Sequence, residues 1–303
     1  PMIKYRNILV VIDPTMPEQS ALLRAVELAR LEDIARIKVF LAIYDFSYEI
    51  TSILSNEERE EMRQGVVTHR LGWLSGMIKP YKTEGLDIEA KVIWHSRPFE
   101  CVLQEVKEHD HDLVITSAHH HSLLKSFIFT PSDWHLLRKC PCPVLVTKHH
   151  GWPAGGNILA AINISDEPEQ MALNERIIHE AKVIAQLAKA SLHLVNAFPA
   201  PIVNIALELP GFSPELYSDA MQQHHQTEME EYARKFDIPA ECIHIVEGMP
   251  EDVLPELAKS LDAELTILGS VGRTGWSAAF IGNTAERVVD SIHGDLLVVK
   301  AYE

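Results

Sequence analysis

Arg6-Asn-Ile-Leu-Val-Val-Ile-Asp-Pro-Thr15 is an apolar, β-branched run that ends in a carboxylate, and half a chain later Gly156-Asn-Ile-Leu-Ala-Ala-Ile-Asn-Ile-Ser165 writes it again. Asp13 thereby corresponds to Asn163. The correspondence continues outward from this pair. Trp94-His-Ser-Arg-Pro-Phe-Glu100 lies over Val246-Glu-Gly-Met-Pro-Glu-Asp252, and His111-Asp-Leu-Val-Ile-Thr116 over Ala263-Glu-Leu-Thr-Ile-Leu268. Cys142-Pro-Val-Leu-Val-Thr-Lys148 closes the first copy as Gly294-Asp-Leu-Leu-Val-Val-Lys300 closes the second. A period this long exceeds any solenoid repeat and marks a duplicated domain. The Gly- and Pro-bearing stretch His149-His-Gly-Trp-Pro-Ala-Gly-Gly156 reads as a linker, which places the domains at 1–148 and 157–303 with 149–156 between them.

Within each copy, short β-branched runs alternate with longer helical patterns, the signature of βαβ units and an α/β fold with a five-stranded parallel sheet. Strands are expected near 7–12, 37–43, 88–94, 112–116 and 143–147, and again near 157–162, 191–197, 242–246, 264–268 and 295–299. Pro98 and Pro250 suit the first turn of a helix, where a missing N–H costs little. Pro255 is predicted to kink its helix.

The 303 residues, 47% apolar, suffice for two full cores. A formal net charge of −16 argues against a general nucleic-acid or anionic-membrane binder, because the long-range field repels phosphate backbones. Any phosphate ligand must be held by local groups. No apolar run approaches a bilayer span and no signal-peptide pattern opens the chain, so a cytoplasmic protein is expected. Cys101, Cys140, Cys142 and Cys242 form no zinc set, and Cys-Pro-Cys is not the spacing of a thiol-exchange motif, so reduced thiols are expected.

In doubly wound sheets the ligand crevice lies beyond the carboxyl ends of the strands, where the strand order reverses. Asp13 and Asn163 end the first strand of their copies. After the fourth strand of the second copy comes Gly269-Ser-Val-Gly-Arg-Thr-Gly-Trp-Ser-Ala-Ala-Phe-Ile-Gly-Asn-Thr284. Glycines at 269, 272 and 282 let backbone N–H groups approach an anion, Arg273 adds a positive fork, and Thr284 opens a helical pattern whose N-terminus favours negative charge. The alternative is a tight strand-to-loop turn whose glycines serve geometry alone. Asn163 offers both a donor and an acceptor to a purine edge. No Walker motif, dehydrogenase glycine fingerprint or nucleophile elbow appears, so no catalytic residue is assigned. Adjacent histidines at His119-His-His121 cannot all converge on one metal ion and read as exposed loop residues. The apolar stretches Phe198–Phe212 and Phe46–Leu54 read as packing elements, as a lid, or as a slot for an apolar ligand.

These residues resemble the universal stress protein domain, twice over and across nearly the whole chain. The match rests on the five-strand copy, the strand ending in Asp or Asn, and Gly269-x-x-Gly272 followed by nine residues and Gly282. The resemblance implies a bacterial, cytoplasmic, non-enzymatic protein of stress survival, with links to DNA-damage resistance, adhesion and motility. It also implies that Gly269, Gly272, Arg273, Gly282, Asn283 and Thr284 surround the phosphates of ATP or a related adenine nucleotide, with Mg²⁺ accompanying it and Asn163 near the base or ribose. Two positions depart from the family pattern: Asn283 stands where Ser or Thr is usual, and Asn163 where Asp is usual. The first copy departs further, with Ser117, His120 and Thr130 opposite Gly269, Gly272 and Gly282, and is expected to be a degenerate domain with a packing or regulatory role. The other readings are a slow nucleotide hydrolase and a scaffold or carrier for a hydrophobic ligand or protein partner. Pairing of the two domains within the chain and self-association into a homo-oligomer are compatible with each.

Overall fold

The computed structural model describes residues 5–32, 35–45, 47, 52–121, 126–128, 131–148, 151–198, 200, 210–269, 292 and 294–300. The chain divides into two compact units, whose main bodies are Lys4–His119 with Phe129–His149, and His150–Glu303. The first unit contains β1 (Asn7–Val11), α1 (Ser20–Leu31), β2 (Arg36–Ile43), α2 (Asn56–Glu84), β3 (Asp87–Trp94), α3 (Pro98–His109) and β4 (Leu113–Ser117). Next in the chain are two short strands, β5 (His119–His121) and β6 (Ser126–Ile128), which pair with each other and carry no clear sequence signature, and residues His120–Ile128 group with the second unit. Then come α4 (Pro131–Lys139) and β7 (Val144–Thr147). The second unit contains β8 (Asn157–Ala161), α5 (Pro168–Leu187), β9 (Ser191–Phe198), α6 (Pro214–Phe236), β10 (Ile243–Glu247), α7 (Pro250–Ser260), β11 (Ala263–Gly269) and β12 (Asp295–Val299).

All pairings within each unit's main ladder are parallel. The order is β3-β2-β1-β4-β7 in the first and β10-β9-β8-β11-β12 in the second. The order reverses between β1 and β4 and between β8 and β11, so each unit has its own switch point. The central strands are apolar on both faces, as a sheet covered by helices on two sides requires: Ile8, Leu9, Val10, Val114 and Ile115 are fully buried, as are Leu159, Ala160, Ile267 and Leu297.

Local chemistry sets the helix ends. Ser55 and Glu58 form a reciprocal capping box at the start of α2, and Gly85 ends that helix at φ 105°. Pro98 and Pro250 open α3 and α7. Helix α7 continues across Pro255 to Ser260. Ahead of β8, Trp152 donates its indole N–H to the buried Asp295 at 2.8 Å. All four cysteines are buried free thiols, and the sulfurs of Cys140 and Cys142 lie 3.6 Å apart. Burial pushes the thiols of Cys101 and Cys242 up.

The ladder registers also align the two copies. Leu9 pairs with Lys38 as Leu159 pairs with His193, so Lys38 and His193 are equivalent, and Ile43 is then equivalent to Phe198. Ile43 pairs with Trp94 and Phe198 with Glu247. Trp94 therefore corresponds to Glu247, one position on from the Val246 that linear superposition suggests. By the same register Lys91 corresponds to His244. In the first unit Lys38 and Lys91 clasp Glu105 of α3 at 2.7 and 2.8 Å, and Glu105 is 3% exposed. In the second unit His193 Nδ1 meets His244 Nε2 at 2.9 Å, and Leu257 of α7 takes the place of Glu105.

Candidate functional site

In the second unit Ala160 of β8 stands opposite Ile267 of β11, so the end of β11 at Gly269 lies beside the exit from β8 at Ile162 and Asn163. Asn163 is held by its main chain. Its N–H donates to Asn174 Oδ1 at 3.2 Å and its carbonyl accepts from Asn174 Nδ2 at 2.5 Å. Asn174 is fully buried on α5 and is itself oriented by Gln170 and by the Tyr232 hydroxyl, at 2.9 and 3.3 Å. One residue further on, Ile164 N–H donates to Asn196 Oδ1 at 3.3 Å, and Asn196 Nδ2 bonds to Nδ1 of the buried His225. An acceptor Nδ1 requires a neutral ring, and burial, reinforced by neighbouring His224, holds His225 below the ordinary histidine range. The clamp uses no donor or acceptor of the Asn163 side chain.

Asn174, Asn196, His225 and Tyr232 escaped the sequence reading. One of them had a signal: Asn196 alternates with Leu192, Leu194 and Phe198, a polar residue on an otherwise apolar strand face. The others lie on helices and are joined to Asn163 only through folding. The first unit solves the same problem with a different residue. Gln19 Nε2 donates to the Asp13 carbonyl at 2.7 Å, and Asp13 N–H donates to Gln19 Oε1 at 3.2 Å.

Gly269 has a packing reason of its own. A Cβ there would lie 2.6 Å from Leu173 Cδ2 and 3.2 Å from Ile177 Cδ1, so α5 seats against the bare backbone. Gly269→Ala is therefore expected to cost about 1–3 kcal/mol by overpacking, and to cost less than that when introduced into a Leu173→Ala background, as read by urea unfolding. The same cost in both backgrounds would remove the packing explanation. In the first unit the side chain of Ser117 is accommodated because small residues start α1: Ser20 Oγ lies 3.1 Å from Ser117 Oγ and 3.0 Å from Thr147 Oγ1, all three hydroxyls being buried. Gly272, Arg273, Gly282, Asn283 and Thr284 lie outside the described residues, as do most of the apolar stretches at 198–212 and 46–54.

The first unit's switch point carries a cavity of about 700 Å³ at the carboxyl ends of β1 to β4. Asp13, Tyr44, Asp45, Trp94, Phe99 and Ser117 contribute to its lining. Among the described residues no group of three or more His, Cys, Asp or Glu side chains is disposed to hold a metal ion, and no helix is long and apolar enough to cross a membrane.

Comparison with known proteins gives a consistent pattern. The model of the universal stress protein family matches residues 4–148 and 156–300. Universal stress protein E of Escherichia coli strain K12 is 50% identical over 301 residues, covering 99% of this chain and 95% of that protein. The universal stress protein E homolog of Haemophilus influenzae is 39% identical, covering 98% of each. Among solved structures, a putative universal stress protein from Pseudomonas aeruginosa aligns at 30% identity with a TM-score of 0.75, covering 98% of this chain and 94% of the other.

Proposed function

The chain belongs to the universal stress protein family, carrying two of its domains in tandem, and from that membership we propose a non-enzymatic cytoplasmic stress-response protein whose second domain binds ATP or a related adenine nucleotide. The observation that carries this reading is the meeting of two strand ends. Gly269 closes β11 beside the exit from β8, where Asn174 holds Asn163 through its main chain. The neutral amide of Asn163 offers a donor and an acceptor to an adenine edge and brings no charge against the phosphates. Gly272, Arg273, Gly282, Asn283 and Thr284 are the proposed phosphate contacts, with Mg²⁺ accompanying the nucleotide.

Bound nucleotide acts by differential affinity: it favours the conformation that binds it better, and so the partner, including a second copy of the chain, that reads this conformation. Stress survival and DNA-damage resistance follow from that partner choice rather than from turnover. In equilibrium titration with ATP and Mg²⁺, Gly272→Val and Gly282→Val are expected to abolish binding, because each side chain fills the space a phosphate oxygen needs. Binding unchanged in both variants would sink the proposal. Steady release of phosphate would replace it with a slow hydrolase, and an apolar molecule recovered from the purified protein with a carrier.

A further inference from the structure

We propose that the crevice of the first unit is a binding site for a small organic cation bearing a planar aromatic ring, recognised by two carboxylates and an aromatic wall. The site is separate from the proposed nucleotide site and has a different chemistry. Its cavity of about 700 Å³ is within the range of small-molecule sites and sits at the switch point of the sheet. The charged residues among its described lining are Asp13, Asp45 and Arg70. The Arg70 guanidinium lies over the ring of Trp73, 5.1 Å from its centroid.

The two carboxylates are anchored by the same local device. Thr15 donates its N–H and its hydroxyl to Asp13 Oδ1 at 2.9 and 2.6 Å, and Ser47 donates the same two groups to Asp45 Oδ1 at 2.9 and 2.6 Å. The Ser47 hydroxyl and N–H hold the Asp45 carboxyl below its ordinary range, so it stays ionised at neutral pH. The ends of β2 and β3, on the side of β2 away from β1, carry an aromatic wall: the rings of Tyr44 and Trp94 meet edge to face, with centroids 5.9 Å apart. Phe99 adds a third ring, stacked on His135 at 4.8 Å.

Aromatic faces attract a cation through the ring quadrupole, and carboxylates accept its N–H groups as charge-assisted bonds. An anion meets two carboxylates against the single guanidinium of Arg70 among the described lining residues, on a chain of net charge −16. In the second unit the register places Asn163, Ala200 and Glu247 at the positions of Asp13, Asp45 and Trp94.

Isothermal titration of the full chain with three indole probes tests the assignment: tryptamine, its neutral isostere tryptophol and the anionic indole-3-propionate. Tryptamine is expected to bind one site per chain with a dissociation constant below about 1 mM, roughly 0.3 kcal/mol for each of its about twelve heavy atoms. It is expected to bind at least about tenfold tighter than tryptophol, with indole-3-propionate weakest. Asp45→Asn, at an exposed position, should reduce the tryptamine preference about fivefold or more, and Tyr44→Leu should weaken both tryptamine and tryptophol. Saturating ATP should leave tryptamine binding unchanged. Equal affinity for tryptamine and tryptophol, indifference to Asp45→Asn and Tyr44→Leu, no tryptamine binding, or displacement by ATP each overturns the proposal.

Discussion

Replacing Glu105 by alanine is expected to lower the stability of the first unit by about 3 kcal/mol, because it strands two ammonium groups beside a covered strand face. Glu105 is 3% exposed and accepts from Lys38 and Lys91, which are 14% and 38% exposed. Removing one member of a buried ion cluster costs about 3–5 kcal/mol, and the lower end applies since Lys91 can reach water. A second route leads to the same size. Burial raises the carboxyl, but Lys38 and Lys91 outweigh it and hold Glu105 at about 2 instead of 4.5, a difference of about 3 kcal/mol at neutral pH.

The sign follows. A depressed carboxyl stabilises fully above the unfolded value, and this contribution is lost as pH falls from about 4.5 to about 2. The second unit responds in a higher window. Burial holds His193, His225 and His244 below 6.5, so stability there declines as pH falls below that value. Burial also lowers His111 of the first unit, although adjacent Glu105 draws it back up. Hydrogen exchange of the strand amides against pH is expected to show the second unit opening first. The duplication supplies its own control: Lys38→His, Lys91→His and Glu105→Leu together copy the second unit and should recover most of what Glu105→Ala loses. A Glu105→Ala loss under about 1 kcal/mol in urea unfolding would contradict the assignment of the cluster as a stabilising ion pair.

Gly294→Ala is expected to destabilise the second unit by about 3 kcal/mol, combining about 1–2 for a side chain at positive φ with about 1–3 for the clash. Gly294 sits at φ +89° immediately before β12, and a Cβ there would lie 2.4 Å from the Ala263 carbonyl and 2.6 Å from that of Glu264. Backbone oxygens cannot swing aside as a side-chain terminus can, so the strand start must move. Gly211 provides the comparison: its φ is +80°, yet nothing lies within 4 Å of an added Cβ. Gly211→Ala should therefore cost only the backbone term, about 1 kcal/mol. Equal losses in the two variants would show that conformation alone, without the close approach to β11, explains Gly294.

The strands were legible because each is a short β-branched run bounded by turn residues. The repeat of Arg6–Thr15 at Gly156–Ser165 confirmed each assignment in a second sequence. Alternation of strands and helices implied parallel pairing, whereas the strand order, the same in both units, comes from the tertiary structure. The main-chain clamp on Asn163 was not legible. Asn174 lies in a helix and Asn196 on another strand, and spacing in the chain says nothing about which amides meet across a sheet and its covering helix. Gly269 illustrates the converse: an anion cradle and a helix seat both call for a missing Cβ, and only packing reveals Leu173 and Ile177 above it.

The sequence by itself determined the duplication, the parallel α/β class and the difference between Asp13 and Asn163, because periodicity and residue type are local properties of the chain. Only the tertiary structure decided that Lys38, Lys91 and Glu105 form one cluster answered by His193, His244 and Leu257, and that acids and aromatic rings from separate strand ends line one cavity. Such groupings depend on register and on crossover connections, which bring together side chains tens of residues apart.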